Sequence, residues 1–420
     1  MSHQITRRCC MLSAAGAAAV ALSHRSAHAA DLPTAPVAIT KCKTYNTNDV
    51  VSALSVMFDQ LGGLGGLVNG KTVAIKVNLV GDNVGRIGND PPELSHWTHP
   101  AVIGATAYLL GRAGARRIRI VECCGATGDA FATYVAGAGW NPNDILNAAP
   151  NVEFENTNGL GSGTAYARLT CPPNSYIFPG YDVNHSYADC DVFVSMPKMK
   201  EHRWFGVTLS MKNVYGITPL TIYGDEADVN APGTSVDGTR VLVMHNGSRA
   251  PCLTAPQEKN PQSPRDATYR LPRIIAEIVA ARPVHLAIID GIESMAGGEG
   301  PWYPSVRRVS PGVLLAGLNP ATTDAVAMAV MGFDPAAARG TAPFEGSDNF
   351  LDFAGEIGVG TRDLTRIDVR GASIQDARFD FRTAGLRVDS VANAASYASG
   401  SVAPGEIVSL SGMALGPLWL

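Results

Sequence analysis

Within PKMKEHRWFGVTLSMKN, Pro197 to Asn213, Lys198, Lys200, His202, Arg203 and Lys212 gather five basic side chains into one short segment. Lysine is scarce elsewhere: the chain holds eight lysines against twenty-five arginines, and three of the eight lie here. The two cations differ physically, since guanidinium is a permanently charged planar fork while ammonium is a compact point donor whose pKa moves readily on burial. Where Arg already supplies the general surface charge, clustered Lys points to chemistry. Such a group holds a phosphate, a carboxylate or another anion. Alternatively, with its pKa lowered by burial and cationic neighbours, it acts as acid, base or nucleophile. Lys200 and Lys212 are the catalytic candidates, with His202 assisting. Lys198 and Lys200, two residues apart on an extended segment, are expected to share one face. The plain alternative is a solvated edge loop of unrelated charges.

The elements that must position these residues follow from periodicity. VAIKVNL at Val73 to Leu79 reads as a strand, AVIGATAYLLGRAGA after Pro100 as a helix stopping near Gly114, and RIRIVE as the next strand. That is the strand, helix, strand unit of a parallel sheet. DVFVSMP reads as a further strand, LPRIIAEIVAARP as a helix, HLAIIDGI and GVLLAGL as strands, NPATTDAVAMAVMGF as a helix, and IDVRG closes the series. The expected fold is α/β, a mainly parallel sheet flanked by helices over residues 31–371. In such sheets ligands bind outside the carboxyl ends of the strands. Lys76, Asn78, the Lys198, Lys200 and His202 group, and Asp290 all fall at those ends, so they are expected to hold a ligand or cofactor. Gly297, Gly298 and Gly300 follow Asp290 and would let backbone N–H groups approach it. Asp324, in a first helical turn, is explained by the helix dipole. The Gly, Pro, Asn and Ser-rich interval from Tyr223 to Asp266 interrupts the alternation and reads as a surface excursion, functional or mobile.

No metal site is expected. His202 lacks a second histidine at helical spacing, and His96 with His99 reads as a capped turn rather than a chelating pair. P-loop and nucleophile-elbow patterns are absent. Six cysteines follow the leader, Cys42, Cys123, Cys124, Cys171, Cys190 and Cys252, with no C-x-x-C and no iron–sulfur motif. Disulfides and plain buried thiols both remain open for them.

The first 29 residues read as an export signal of twin-arginine type: Arg7-Arg8, an apolar run from Met11 to Leu22, and Ala27-His28-Ala29 as cleavage site. The chain is then expected in the periplasm or otherwise exported, with no later membrane span. Net charge is −4 overall and about −7 without the leader, which argues against a nucleic-acid partner. After Gly385 the residues 385–420 carry short β-type runs resembling a truncated immunoglobulin-like segment, too short to close a sandwich of roughly seven strands.

The order KVNL, THPAVIGATAYLLGRAGARRIRIVE, ADCDVFVSMPKMKEHRWFGVTLSMKNVYGITP, LAIIDGIESMAGGEGP and PGVLLAGLNPATTDAVAMAVMGFDP resembles the domain of unknown function 362 family. Its most specific part is Lys-x-Lys-x-His followed by Lys-Asn-x-x-Gly, here Lys198, Lys200, His202, Lys212, Asn213 and Gly216. The resemblance adds Asn213 to the expected ligand-holding set. Many relatives carry a ferredoxin-like iron–sulfur segment that this chain lacks, which implies a separate redox partner if the work is redox. Two functions follow: an exported enzyme acting on a small anionic substrate, or a periplasmic solute-binding protein for a small anion.

Overall fold

The computed structural model describes residues 32–382, 387–396, 398 and 400–413. An eleven-stranded mixed sheet forms its centre. The strands are β1 (Val37–Lys41), β2 (Thr72–Lys76), β3 (Arg117–Glu122), β4 (Val152–Asn156), β7 (Val192–Ser195), β8 (Lys198–His202), β9 (Gly206–Thr208), β10 (Leu286–Ala296), β11 (Arg307–Val309), β12 (Val313–Gly317) and β13 (Val369–Gly371). The main path runs β13-β1-β12-β10-β7-β2-β3-β4. From β10 to β4 every pairing is parallel, whereas β12 runs antiparallel to both β10 and β1. A hairpin of β5 (Ala167–Thr170) and β6 (Gly180–Val183) stands apart.

The parallel strands read as continuous apolar runs because both faces are covered. Helices α1 (Thr47–Gln60) and α2 (Pro100–Arg112) pack Leu54, Met57, Ile103 and Leu110 onto one face, against Ile75, Ile120 and Ile288. On the other face lie α3 (Ser210–Tyr215), α4 (Ala267–Ala281) and α5 (Pro320–Val330), which bring Val214, Ile275 and Val326 to Phe193, Ile289 and Leu315. Helix starts follow local chemistry. His99 caps α2 by accepting the Ala101 N–H at 3.1 Å, with Pro100 in the first turn, where its missing N–H costs nothing. Asn319 caps α5 through two N–H groups.

Helix α4 begins four residues before the LPRII run, because Asp266 caps it at Thr268. Pro272 therefore sits inside the helix, and the Thr268 carbonyl it leaves without a partner accepts the Asp348 N–H at 3.3 Å instead.

Two short strands that periodicity did not signal, β8 and β9, matter most for the site. Strand β8 continues the line of β7 after Met196-Pro197, and both pair with the long β10. The register jumps from Asp290 opposite Lys198 to Met295 opposite Lys200, a bulge in β10 that separates the two lysines. The interval from Tyr223 to Asp266 is not confined to the surface: Val243, Met244 and Cys252 are buried in the core. All six described cysteines are buried free thiols. The C-terminal segment forms a two-stranded antiparallel sheet, β14 (Arg387–Asn393) with β15 (Val408–Met413). The expected leader lies outside the described residues.

Candidate functional site

Lys76 ends β2 and Glu122 ends the neighbouring β3, and their side chains form a buried ion pair at 2.6 Å. The Glu122 carboxylate also accepts the N–H groups of Leu79 and Cys123, each at 2.9 Å, so it fixes both chains as they leave the sheet. Lys76 Nζ donates further to the Val77 carbonyl at 2.7 Å and to Asn213 Oδ1 at 3.2 Å. Asn213 returns its Nδ2 to the Lys76 carbonyl at 3.0 Å and to Ser195 Oγ at 3.1 Å. One amide thus ties β2 and β7 to α3. Gly216 completes the arrangement sterically: a Cβ there would stand 3.0 Å from Lys76 Nζ. Its φ of −69° would suit any residue, so the demand is for space alone.

Helix α3 is aimed from outside. Asp324, one turn into α5, accepts the N–H groups of Ser210 and Met211 at 2.8 Å each, capping α3 across the core instead of its own helix. Burial pushes the Asp324 carboxyl up to about 8, against the lowering effect of those two bonds. The cap holds the Lys212-Asn213 pair in place.

The lysines meet four different fates. Lys76 is neutralised by Glu122. Lys198, fully buried, pairs with Asp290 at 2.7 Å and donates also to Tyr45 Oη and to the Glu93 and Glu293 carbonyls. Lys200 donates to the His96 and Glu299 carbonyls at 3.0 and 2.8 Å, and burial, reinforced by Lys212, holds its pKa well below the usual value. Lys212 alone among these four makes no hydrogen bond or ion pair among the described residues; its ammonium lies 5.9 Å from the Phe205 ring and 6.0 Å from the Tyr215 ring. Burial lowers it to about 8, with Glu299 opposing the shift and Lys76 adding to it. His202 accepts the Trp204 N–H on Nδ1 at 3.3 Å and lies 3.5 Å from Glu299 Oε2. Burial, then Lys212, Lys200 and His245, keep its imidazole neutral.

These residues surround a cavity of about 680 Å³. Lys76, Asn78, Lys200, His202, Lys212 and Asn213 line it. Lys198 and Asp290 do not; the β10 bulge diverts them into a separate buried cluster with Tyr45, whose ring stacks on His99 at 3.5 Å. The glycines also serve another purpose than the expected one. Gly297 gives its N–H to Glu201 and, with Gly298, borders a small cleft of about 20 Å³. Gly300 makes room for Trp302, since a Cβ at either Gly300 or Gly81 would strike the indole at 2.1 or 2.7 Å. His99 is a helix cap, and His96 bonds Ser95 Oγ at 2.8 Å.

Several lining residues escaped the sequence reading. Glu122 had a signal, as the one charged side chain closing an otherwise buried strand. Arg240 and His245, on the irregular turn within the excursion, and Tyr215 had none. Trp204, Trp302 and Tyr303 supply an aromatic wall. Among the described residues no group of three His, Cys, Asp or Glu side chains is arranged to hold a metal, and no helix is long and apolar enough to cross a membrane.

A thylakoid-associated protein of Synechocystis is 25% identical to this chain over 307 residues, covering 71% of this chain and 75% of that protein. Among solved structures, the lactate racemase apoprotein of Thermoanaerobacterium thermosaccharolyticum is similar with a TM-score of 0.34 and 13% identity, over 63% of this chain and 52% of that one. A Thermotoga maritima protein gives a TM-score of 0.32 and 13% identity, over 61% and 52%. The chain thus spans about half the length of either structure. The family model described as "Domain of unknown function (DUF362)" matches residues 73–329, which include the Lys198 to Gly216 motif and the cavity it builds, and the chain belongs to that family.

Proposed function

We propose that the chain is an exported enzyme acting on a small oxyanion-bearing molecule in this cavity, with Lys212 as the acid–base group and neutral His202 beside it. The observation that carries the reading is the placement of Lys212, an amine with no hydrogen bond or ion pair among the described residues that faces a cavity of substrate size, where burial lowers it to about 8. An amine near neutral pH exchanges protons with a substrate at a useful rate. A pure anion holder has no need of a titratable group, and Arg would hold the anion better. Export is supported by Arg7-Arg8 and the apolar run after them. Cell fractionation of a precursor with both changed to Lys tests the twin-arginine assignment, normal export being the result against it.

The catalytic reading is tested by solvent deuterium exchange. The protein is incubated in heavy water with a panel of small carboxylates and phosphate esters, and loss of carbon-bound proton signal is followed by NMR. The expected outcome is exchange in one class of compound, reduced by a factor of about 10² to 10⁴ in Lys212→Arg. Compounds that bind without exchange, equally in both proteins, would favour the solute-binding function.

A further inference from the structure

Three polar atoms in the cavity wall are enclosed without a partner among the described residues: Tyr215 Oη, Arg240 Nη2 and Asn78 Oδ1. Buried polar groups are almost always paired, so orphans converging on one cavity mark what its occupant supplies. Tyr215 and Asn78 are 9% and 8% exposed. Tyr215 follows Lys212 by one helical turn on α3, and its ring centre lies 5.8 Å from that of His245. Arg240 opens the irregular turn Val241–His245, so the excursion carries it to the same wall.

The surroundings hold Arg240 in place without neutralising it. Its Nε donates to the Thr218 carbonyl at 2.7 Å, which fixes the plane of the guanidinium. The acid next to it in the fold, Asp225, has both oxygens engaged, one by the Leu242 N–H and the other by the Thr239 hydroxyl. Arg240 forms no ion pair among the described residues, and neither does Lys212. Two cations without an ion pair among the described residues thus share one wall with a phenol that donates and can also accept, while Asn78 contributes an acceptor. Burial raises the Tyr215 phenol and lowers the His245 imidazole to about 3; the charge of Arg240 opposes the first shift and adds, after Lys212, to the second, so the three side chains share one electrostatic neighbourhood.

We propose that Arg240 and Tyr215 anchor an oxyanion, carboxylate or phosphate, beside Lys212, and that the segment from Tyr223 to Asp266 is therefore the specificity element of the site. A planar guanidinium with a free edge matches an oxyanion in a way a point charge does not. The phenol adds a neutral donor, and the Asn78 carbonyl accepts from a hydroxyl or amino group elsewhere on the ligand. This deepens the proposed function by naming the group on the substrate that is recognised, and it rests on the cavity being the site.

The test is calorimetric titration of the full chain with inorganic phosphate and, separately, acetate, for the wild type and for Arg240→Gln, Arg240→Lys and Tyr215→Phe. The wild type is expected to bind at least one probe, and the stronger of the two identifies the anion class. Arg240→Gln is expected to weaken that binding at least tenfold, Tyr215→Phe several-fold, and Arg240→Lys to an intermediate degree. Tyr215→Phe removes an oxygen with no protein partner, so it preserves the fold and keeps the test decisive if Arg240→Gln misfolds. Equal affinity in wild type and Tyr215→Phe together with either Arg240 variant, or no binding of either probe, would overturn the proposal. The catalytic reading fails separately: anion binding that depends on Arg240, without deuterium exchange in any compound, removes the enzyme and leaves the anchor.

Discussion

At the scale of single residues, the site separates lysines by what each ammonium is given. Lys198 has a carboxylate, a phenol and two carbonyls, whereas Lys212 has aromatic faces and open cavity. Removing them should therefore have opposite effects on stability. Lys198→Met leaves Asp290 buried and unpaired and is expected to cost about 3 to 5 kcal/mol. Lys212→Met removes a charge that burial disfavours. A lysine whose folded pKa lies below its unfolded value penalises the fold at every pH below the folded value, and the penalty is relieved as pH rises from about 8 to 10.5. Lys212→Met should accordingly be more stable than wild type at pH 7 by roughly 1 to 2 kcal/mol, with the gap closing above pH 10. Denaturant unfolding at pH 7 and 10.5 checks both variants. A loss of stability in Lys212→Met would mean that its ammonium has a partner. Such a trade of stability for a reactive group is common at active sites.

At the scale of elements, the work is done by short pieces. Helix α3 spans six residues, too few to be stable alone, and Asp324 caps it from α5. Asp324→Ala leaves the Ser210 and Met211 N–H groups without their acceptor, at an expected cost of about 1 to 3 kcal/mol. The carboxyl is raised in the fold from 3.8 to about 8, so its proton-linked contribution is present at low pH and lost as pH rises through 8. The stability difference between wild type and Asp324→Ala should thus shrink between pH 4 and 8, as measured by urea unfolding across that range. A constant difference would show that the carboxylate stays ionised. The long strands and helices were legible because VAIKV, RIRIV and the α2 and α5 runs have strong periodicity. The segment β8 was not, because KMKEH holds one apolar residue among four polar ones and so shows no strand pattern although all five are buried, and a bulge in β10 leaves no mark in sequence. The same bulge parts Lys198 and Lys200, which were expected to share one face: Lys198 joins Asp290 and Tyr45, and Lys200 lines the cavity. Arg240 was illegible for a different reason: it lies in a segment that has no period and is folded back over the sheet, whereas Tyr215 sits on α3 with no spacing signal of its own.

At the scale of the molecule, the strands β10, β7, β2, β3 and β4 run parallel on one side of the sheet, and the cavity opens beyond the carboxyl ends of β2 and β3. The carboxyl ends of β2 and β3 supply Lys76 and Glu122, α3 supplies Lys212 and Asn213, and the excursion supplies Arg240. Among the described residues the hairpin of β14 and β15 pairs only with itself and adds no strand to the central sheet. Deleting residues 385–420 is therefore expected to leave the cooperative melting of the α/β domain in place, to within a few degrees by calorimetry. Loss of the transition would make the tail part of the core. The account as a whole turns on the protonation of one amine. Competitive labelling with acetic anhydride across pH 6 to 11, read lysine by lysine by mass spectrometry, measures it without a known substrate. Lys212 is predicted to titrate with a midpoint near 8. A Lys212 midpoint at the ordinary value of 10.5 would contradict the central claim.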